Sequence, residues 1–193
     1  MVHKAGLPPV CARPTMRRIP MTTTLFPNDD AMPAVVEADI SLPGNAAAVL
    51  AMLDAYSSDP MADGHPLSAD ARANLIAGLR AHPSTLVFLA FHAGEPVGVA
   101  VCFRGFSTFA AKPLINVHDL YVVPALRGRG IGRALLGAVE RRACETGCCK
   151  LTLEVLENNT PAQRLYESGG FSQAQYSEAA GKAIFLWKLL PGA

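Results

Sequence analysis

A β-prone apolar run over residues 115–123 stops at Pro124, crosses a short loop rich in arginine and glycine, and continues as a helix pattern from Ile131. No other segment constrains the chain as tightly, because strand, glycine loop and helix start follow one another without a break. The first backbone N–H groups of a helix lack intrahelical partners, and the helix dipole places partial positive charge there. Glycine lets such a backbone come close to an anion. Arg127, Arg129 and Arg133 add full charges that can pair with phosphate oxygens. On this chemistry alone the segment is a place to hold phosphate.

Two familiar phosphate loops fail here. The dinucleotide pattern G-x-G-x-x-G breaks at Arg133, where a third glycine is required. The pattern G-x-x-x-x-G-K-[ST] has its spacing between Gly132 and Gly137, but Ala138 and Val139 follow. What remains is Arg127-x-x-Gly130-x-Gly132. Upstream stands Asp119-Leu120-Tyr121-Val122-Val123-Pro124. Downstream stands Asn159-x-x-Ala162-x-x-Leu165-Tyr166-x-x-x-Gly170-Phe171. With the three in this order over residues 119–171, the chain resembles the GNAT superfamily of acetyl-CoA-dependent N-acetyltransferases. It is similar in particular to the polyamine and thialysine branch. The resemblance extends more loosely over residues 35–189 and leaves the first thirty or so outside.

The resemblance implies a mixed α/β fold, with a mostly antiparallel sheet of six to seven strands splayed at the acetyl-CoA site and about four flanking helices. It implies acetyl-CoA as co-substrate, with no metal. Gly128, Arg129, Gly130, Ile131 and Gly132 would offer amides to the pyrophosphate, with Arg127 and Arg133 at the same loop. Backbone groups near Leu120, Tyr121 and Val122 would hold the pantetheine arm, and Asn159 would touch the same region. Tyr166 would be the general acid for the departing thiolate. The local pattern around Tyr166 fits equally an aromatic packed under the sheet. Relatives carry Glu-Asp where this chain has His118-Asp119. A histidine with an ordinary pKa of about 6.5 can take the amine proton at neutral pH, and a packed strand histidine fits as well. Strand alternation puts Asn116, His118 and Leu120 on one face.

Size and composition agree with one domain over residues 34–193. Half the residues are hydrophobic and 17% are charged, which suits a globular chain. The net charge of +1 does not point to a nucleic-acid surface. The longest apolar stretch, residues 86–91, is far short of the roughly 18 a membrane span needs. The five cysteines, Cys11, Cys102, Cys144, Cys148 and Cys149, form no C-x-x-C pair. They fit reduced thiols in the cytoplasm, with Cys144 read as a small core hydrophobe on its helix. Residues 1–33 hold four prolines among basic residues in their first twenty positions and read as a flexible basic tail, with Met21 an alternative start.

The remaining pattern reads as strand 34–40, helix 43–56, a second helix that starts at Ser68 and ends before Pro83, strands 86–92 and 97–103, and a loop at 105–113. After the phosphate loop come helix 130–146, strand 150–156, helix 160–168 and closing strands 171–176 and 183–189. Asp54, Asp59, Asp63 and Asp70 read as solvated, with those near the 57–67 loop able to attract a cationic acceptor. Three functions stay open. One is acetylation of a primary amine on a small molecule, by direct transfer in a ternary complex. Another is acetylation of a protein or peptide. The third is a non-catalytic acyl-CoA-binding module. Relatives commonly pair, so the resemblance also implies a homodimer.

Overall fold

In a computed structural model of the chain, the described residues are 33–174, 179 and 181–190. Apart from Pro33, the expected tail lies outside them, as does the end of the expected strand at 171–176. The elements are β1 (Ala34–Glu37), α1 (Pro43–Ser57), α2 (Ala69–Ala81), β2 (Thr85–His92), β3 (Glu95–Ser107), β4 (Lys112–Val122), α3 (Ile131–Glu145), β5 (Leu151–Leu153) and α4 (Thr160–Ser168). The strands lie in the order β1-β2-β3-β4-β5. The first four are antiparallel, and β5 runs parallel to β4. The mixed, mostly antiparallel sheet and four α-helices agree with expectation.

The sheet is buried on both faces, which is why β2 and β3 read as near-continuous apolar runs. On one face Phe88, Ala100, Ile115 and Val117 pack with Leu135 and Val139 of α3. On the other, Val87, Leu89, Val99 and Val101 pack with Val49 and Leu53 of α1 and Leu79 of α2. The helices start where local chemistry favours it. Pro43 occupies the first turn of α1, and the Ser68 side chain caps α2 by accepting from the Ala71 amide at 3.1 Å. In α3 the four-residue repeat Ile131, Leu135, Val139, Ala143 is buried throughout. The β2–β3 turn places Ala93 and Gly94 at φ 51° and 85°, the primed-turn geometry that matches strand twist.

Three expectations need correction. The segment at 105–113 is not a long loop, because β3 runs on to Ser107 and β4 begins at Lys112; cross-strand pairing continues to Ser107 and Lys112. Cys144 is exposed, since one helical step of about 100° separates it from the core position held by Ala143. Residues 171–174 and 183–189 of the expected closing strands are not in the sheet, which has five strands among the described residues. Residues 183–190 carry six large apolar side chains in solvent, and the Ala183 amide donates to the Ala174 carbonyl at 3.3 Å.

Candidate active site

The site is built around a defect in β4. Asp119 pairs with Val101 of β3 and Val117 pairs with Cys102, so His118 is an extra residue in β4. Such a bulge breaks alternation and re-aims side chains. Ile115 and Val117 before it, and Leu120 and Val122 after it, all pack on the α3 side. His118 and Asp119 therefore both turn to the α1 side. The His118 ring stands edge-on to Phe103 with centroids 5.3 Å apart. The expectation that Leu120 shares a face with His118 is overturned, because it assumed unbroken alternation.

Burial pushes the Asp119 carboxyl above its ordinary range, and the His118 charge opposes the shift. The Tyr56 phenol is raised first by burial and then by the charges of Asp119, Asp59 and Asp63. Tyr56 packs on Tyr121 with ring centroids 5.6 Å apart. A proton acceptor raised in this way is better matched to work near neutral pH than an ordinary carboxylate.

Beyond the bulge, β4 and β5 part. Their pairing ends at Val117 and Leu153, so residues 118–122 have β3 as their sheet neighbour among the described residues. The gap leaves one backbone edge of β4 facing the cleft. The Val122 carbonyl accepts from Arg127 Nε at 2.9 Å.

The phosphate loop follows a single 3-10 turn at Pro124–Leu126. Gly128 and Gly130 sit at φ 79° and 82°, where a side chain would strain the backbone. A Cβ on either would meet nothing within 4 Å, so neither glycine relieves crowding and the space above them is open. Among the described residues, no backbone carbonyl takes the amides of Gly130, Ile131, Gly132 or Arg133. Glycine geometry, open space and unpaired amides together fit a diphosphate. Gly132 has a different duty. A Cβ there would lie 2.9 Å from Leu165 Cδ2, so its bareness lets α4 approach α3. Gly130→Ala is expected to cost about 1–2 kcal/mol, lowering the thermal midpoint by roughly 2–8 °C in calorimetry. Gly132→Ala is expected to cost less, because the Leu165 methyl can rotate away.

The arginines are engaged within the chain. Arg127 pairs with Asp59 and lies 5.6 Å over the Tyr121 ring. Arg133 donates to Ser168 Oγ at 3.0 Å. Arg129 is exposed on the same loop. Asp59 is 8% exposed, which corrects its reading as solvated. Burial pushes its carboxyl up; hydrogen bonds from Arg127 and the Met61 amide, with the Arg127 charge, outweigh this and hold it below its ordinary value. Its Oδ1 accepts from the Met61 amide at 2.9 Å, a turn that Asp before Pro already signals. Nothing local signals a cation 68 residues away.

Asn159 caps α4, its Oδ1 accepting from the Ala162 amide at 3.3 Å, so the helix does not extend back through it. Tyr166 packs at the border of the α3-side core, edge-on to Phe171 at 5.9 Å. Burial, and then the nearby Tyr56 phenol, push Tyr166 up to about 12. The structure thus gathers Tyr166, Tyr56, Tyr121, His118 and Asp119 along the parted strands, with the glycine loop at one end.

The model of the acetyltransferase (GNAT) family matches residues 49–171. The chain belongs to this family. As a GNAT acetyltransferase it is an acyltransferase enzyme, and the family uses acetyl-CoA. An uncharacterized N-acetyltransferase of Bacillus subtilis, YhfO, is 35% identical over 103 residues, 53% of this chain and 68% of that protein. The thialysine N-epsilon-acetyltransferase of Bos taurus is 37% identical over 82 residues, 40% of this chain and 48% of its own length. The N-alpha-acetyltransferase MAK3 of Arabidopsis thaliana is 38% identical over 90 residues, 47% of this chain and 46% of its own. The chain thus spans about half the length of the last two. Among solved structures, a probable acetyltransferase superposes with a TM-score of 0.67 at 18% identity, covering 81% of this chain and 99% of that one. An aminoglycoside acetyltransferase from an uncultured soil metagenomic sample, in complex with sisomicin, gives 0.64 at 16%, covering 82% and 96%. At these identities the two structures share the fold. Among the described residues no helix is long and apolar enough to cross a membrane, and no group of His, Cys, Asp and Glu is arranged to hold a metal.

Proposed function

We propose that this GNAT acetyltransferase moves the acetyl group of acetyl-CoA directly to a primary amine of a small molecule, both substrates being bound at once. The observation that carries the reading is the pairing of two open backbone features. The amides at the start of α3 that no backbone carbonyl takes suit the pyrophosphate, and the edge of β4 that β5 leaves open at residues 118–121 suits the pantetheine arm. In this reading Gly128, Arg129, Gly130, Ile131 and Gly132 line the diphosphate. Backbone groups of Leu120 and Tyr121 hold the arm and polarise the thioester carbonyl.

His118 and Asp119, brought to one face by the bulge, take the proton as the amine nitrogen attacks. Tyr166 hydrogen-bonds the sulfur as the carbon–sulfur bond breaks. Carboxylates of Asp119 and Asp63 near Tyr56 favour a cationic acceptor. The thialysine and aminoglycoside relatives support a small amine, whereas the MAK3 relative supports a protein N-terminus. The free thiols among the described residues support a cytoplasmic setting.

Two measurements test the proposal. Calorimetry is expected to show saturable binding of coenzyme A and acetyl-CoA. Thiol release is expected to rise on adding one or more small amines from a panel of polyamines, amino acids and aminoglycosides. Coenzyme A binding with turnover on peptide N-termini alone would transfer the proposal to the protein-acetylating reading. No binding would end it.

A further inference from the structure

We propose that the turn joining β3 to β4 anchors the protein to a membrane surface, setting two phenyl rings into the headgroup region of an anionic bilayer inside a collar of basic side chains. Phe106 is 62% exposed and Phe109 92%. Thr108, Ala110 and Ala111 beside them are exposed too. The backbone that carries the rings is held in place. Ser107 is buried, its Oγ accepts from the Ala110 amide at 3.3 Å, and Ala111 turns the chain at φ 49°. A fixed turn thus presents both rings to solvent instead of folding them under the sheet.

The turn also stands clear of its neighbours. On the β2 side the last backbone contact is the Arg104 amide on the Ser84 carbonyl at 2.9 Å, and on the β5 side it is the Cys149 amide on the Pro113 carbonyl at 2.8 Å. Past these, Ser107 faces Lys112 with no further strand beside the pair among the described residues. On the β2 side the ribbon runs on for residues 105–107, roughly 10 Å at the rise of a strand. That is about the depth to which interfacial elements enter a bilayer.

Charge selects the occupant. Arg104, Lys112 and Lys150 are exposed, and none is in an ion pair among the described residues. Arg104 pairs with Ile115 across the sheet, and the Ile115 amide donates to the Lys150 carbonyl at 3.3 Å, so two of the cations flank one rung at the base of the ribbon. No acidic residue occurs between Glu95 and Asp119, and Glu145, the nearest before Lys150, pairs with Arg142 at 3.7 Å. Each lysine or arginine close to an anionic bilayer adds attraction. A protein partner fits this turn less well. The two rings offer on the order of 300 Å² of apolar surface, against about 800 Å² per partner in a stable interface. The phosphate loop follows the other end of β4, so attachment by this turn leaves it open.

The test is co-sedimentation of the full chain with vesicles, without substrate. Vesicles of phosphatidylcholine with about one-third phosphatidylserine are expected to bind on the order of 100-fold more tightly than phosphatidylcholine alone, and added salt to weaken the binding. Phe106→Ser/Phe109→Ser is expected to lose about 30-fold, and Arg104→Gln/Lys112→Gln a similar factor on the anionic vesicles. Circular dichroism and the thermal midpoint are expected to stay unchanged in both, which separates lost anchoring from lost folding. No partition onto anionic vesicles, binding that persists in the phenylalanine variant, or equal binding to neutral vesicles would each overturn the proposal. So would self-association that the phenylalanine variant abolishes, since the turn would then be a protein interface.

Discussion

Tyr166→Phe is expected to lower turnover about 100-fold while coenzyme A affinity and the thermal midpoint stay unchanged. The substitution keeps the ring that packs edge-on to Phe171 and removes only the hydroxyl. Burial, reinforced by Tyr56, pushes that hydroxyl up to about 12, so it stays protonated throughout the neutral range. This sets a limit on what it can do. A thiolate with an ordinary pKa of about 8.5 does not fully deprotonate a phenol near 12 without a cost of several kcal/mol. The phenol therefore acts first as a hydrogen-bond donor to the sulfur as negative charge builds there. A hydrogen bond to a charged group contributes about 1.5–3 kcal/mol, and each 1.4 kcal/mol is tenfold in rate. The expected loss lies at the upper end of that range, because the bond strengthens only as charge develops. Steady-state rates of thiol release, with calorimetry on the same preparation, check it. Equal turnover in the variant would reduce Tyr166 to a packing residue.

The sequence carried the glycine loop, the α3 repeat and the order of the first nine elements, because each depends on contacts within a few residues. Helix α3 is legible from its four-residue spacing, and α2 from Ser68 at its cap. The bulge at His118 was hidden. An inserted residue leaves no mark in an apolar run, and alternation read straight through it put Leu120 on the wrong face. Tyr166 was legible as a residue type in a pattern, but its neighbour Tyr56 comes from the first helix and only folding brings the two together. The duty of Asn159 as a helix cap was readable in principle from Pro161 two positions later. The apolar segment at 183–189 reads as a strand, yet residues 183–190 form no strand in the structure.

Removing Arg127 is expected to destabilise the fold more clearly than it weakens coenzyme A binding. Its guanidinium grips Asp59, bonds the Val122 carbonyl and covers the Tyr121 ring, so it fastens the loop after α1 to the end of β4. Breaking a fully buried ion pair costs about 3–5 kcal/mol. Here Asp59 is buried but the Arg127 side chain is 47% exposed, so solvent screens one partner. A loss of about 1–3 kcal/mol follows for Arg127→Ala, or roughly 3–10 °C in thermal midpoint. Asp59→Asn should lose a comparable amount, and the double variant little more, because both substitutions break one interaction. The pH dependence has a definite sign. The folded carboxyl is held below its ordinary value, so its contribution is complete above about pH 5. That contribution is lost as pH falls below about 4 and through the depressed folded value, where the gap between wild type and Asp59→Asn closes. The opposite outcome is equally clear. If Arg127→Ala leaves the thermal midpoint intact and abolishes coenzyme A binding, then the guanidinium leaves Asp59 for the diphosphate, and the pair is a feature of the unliganded chain rather than a strut.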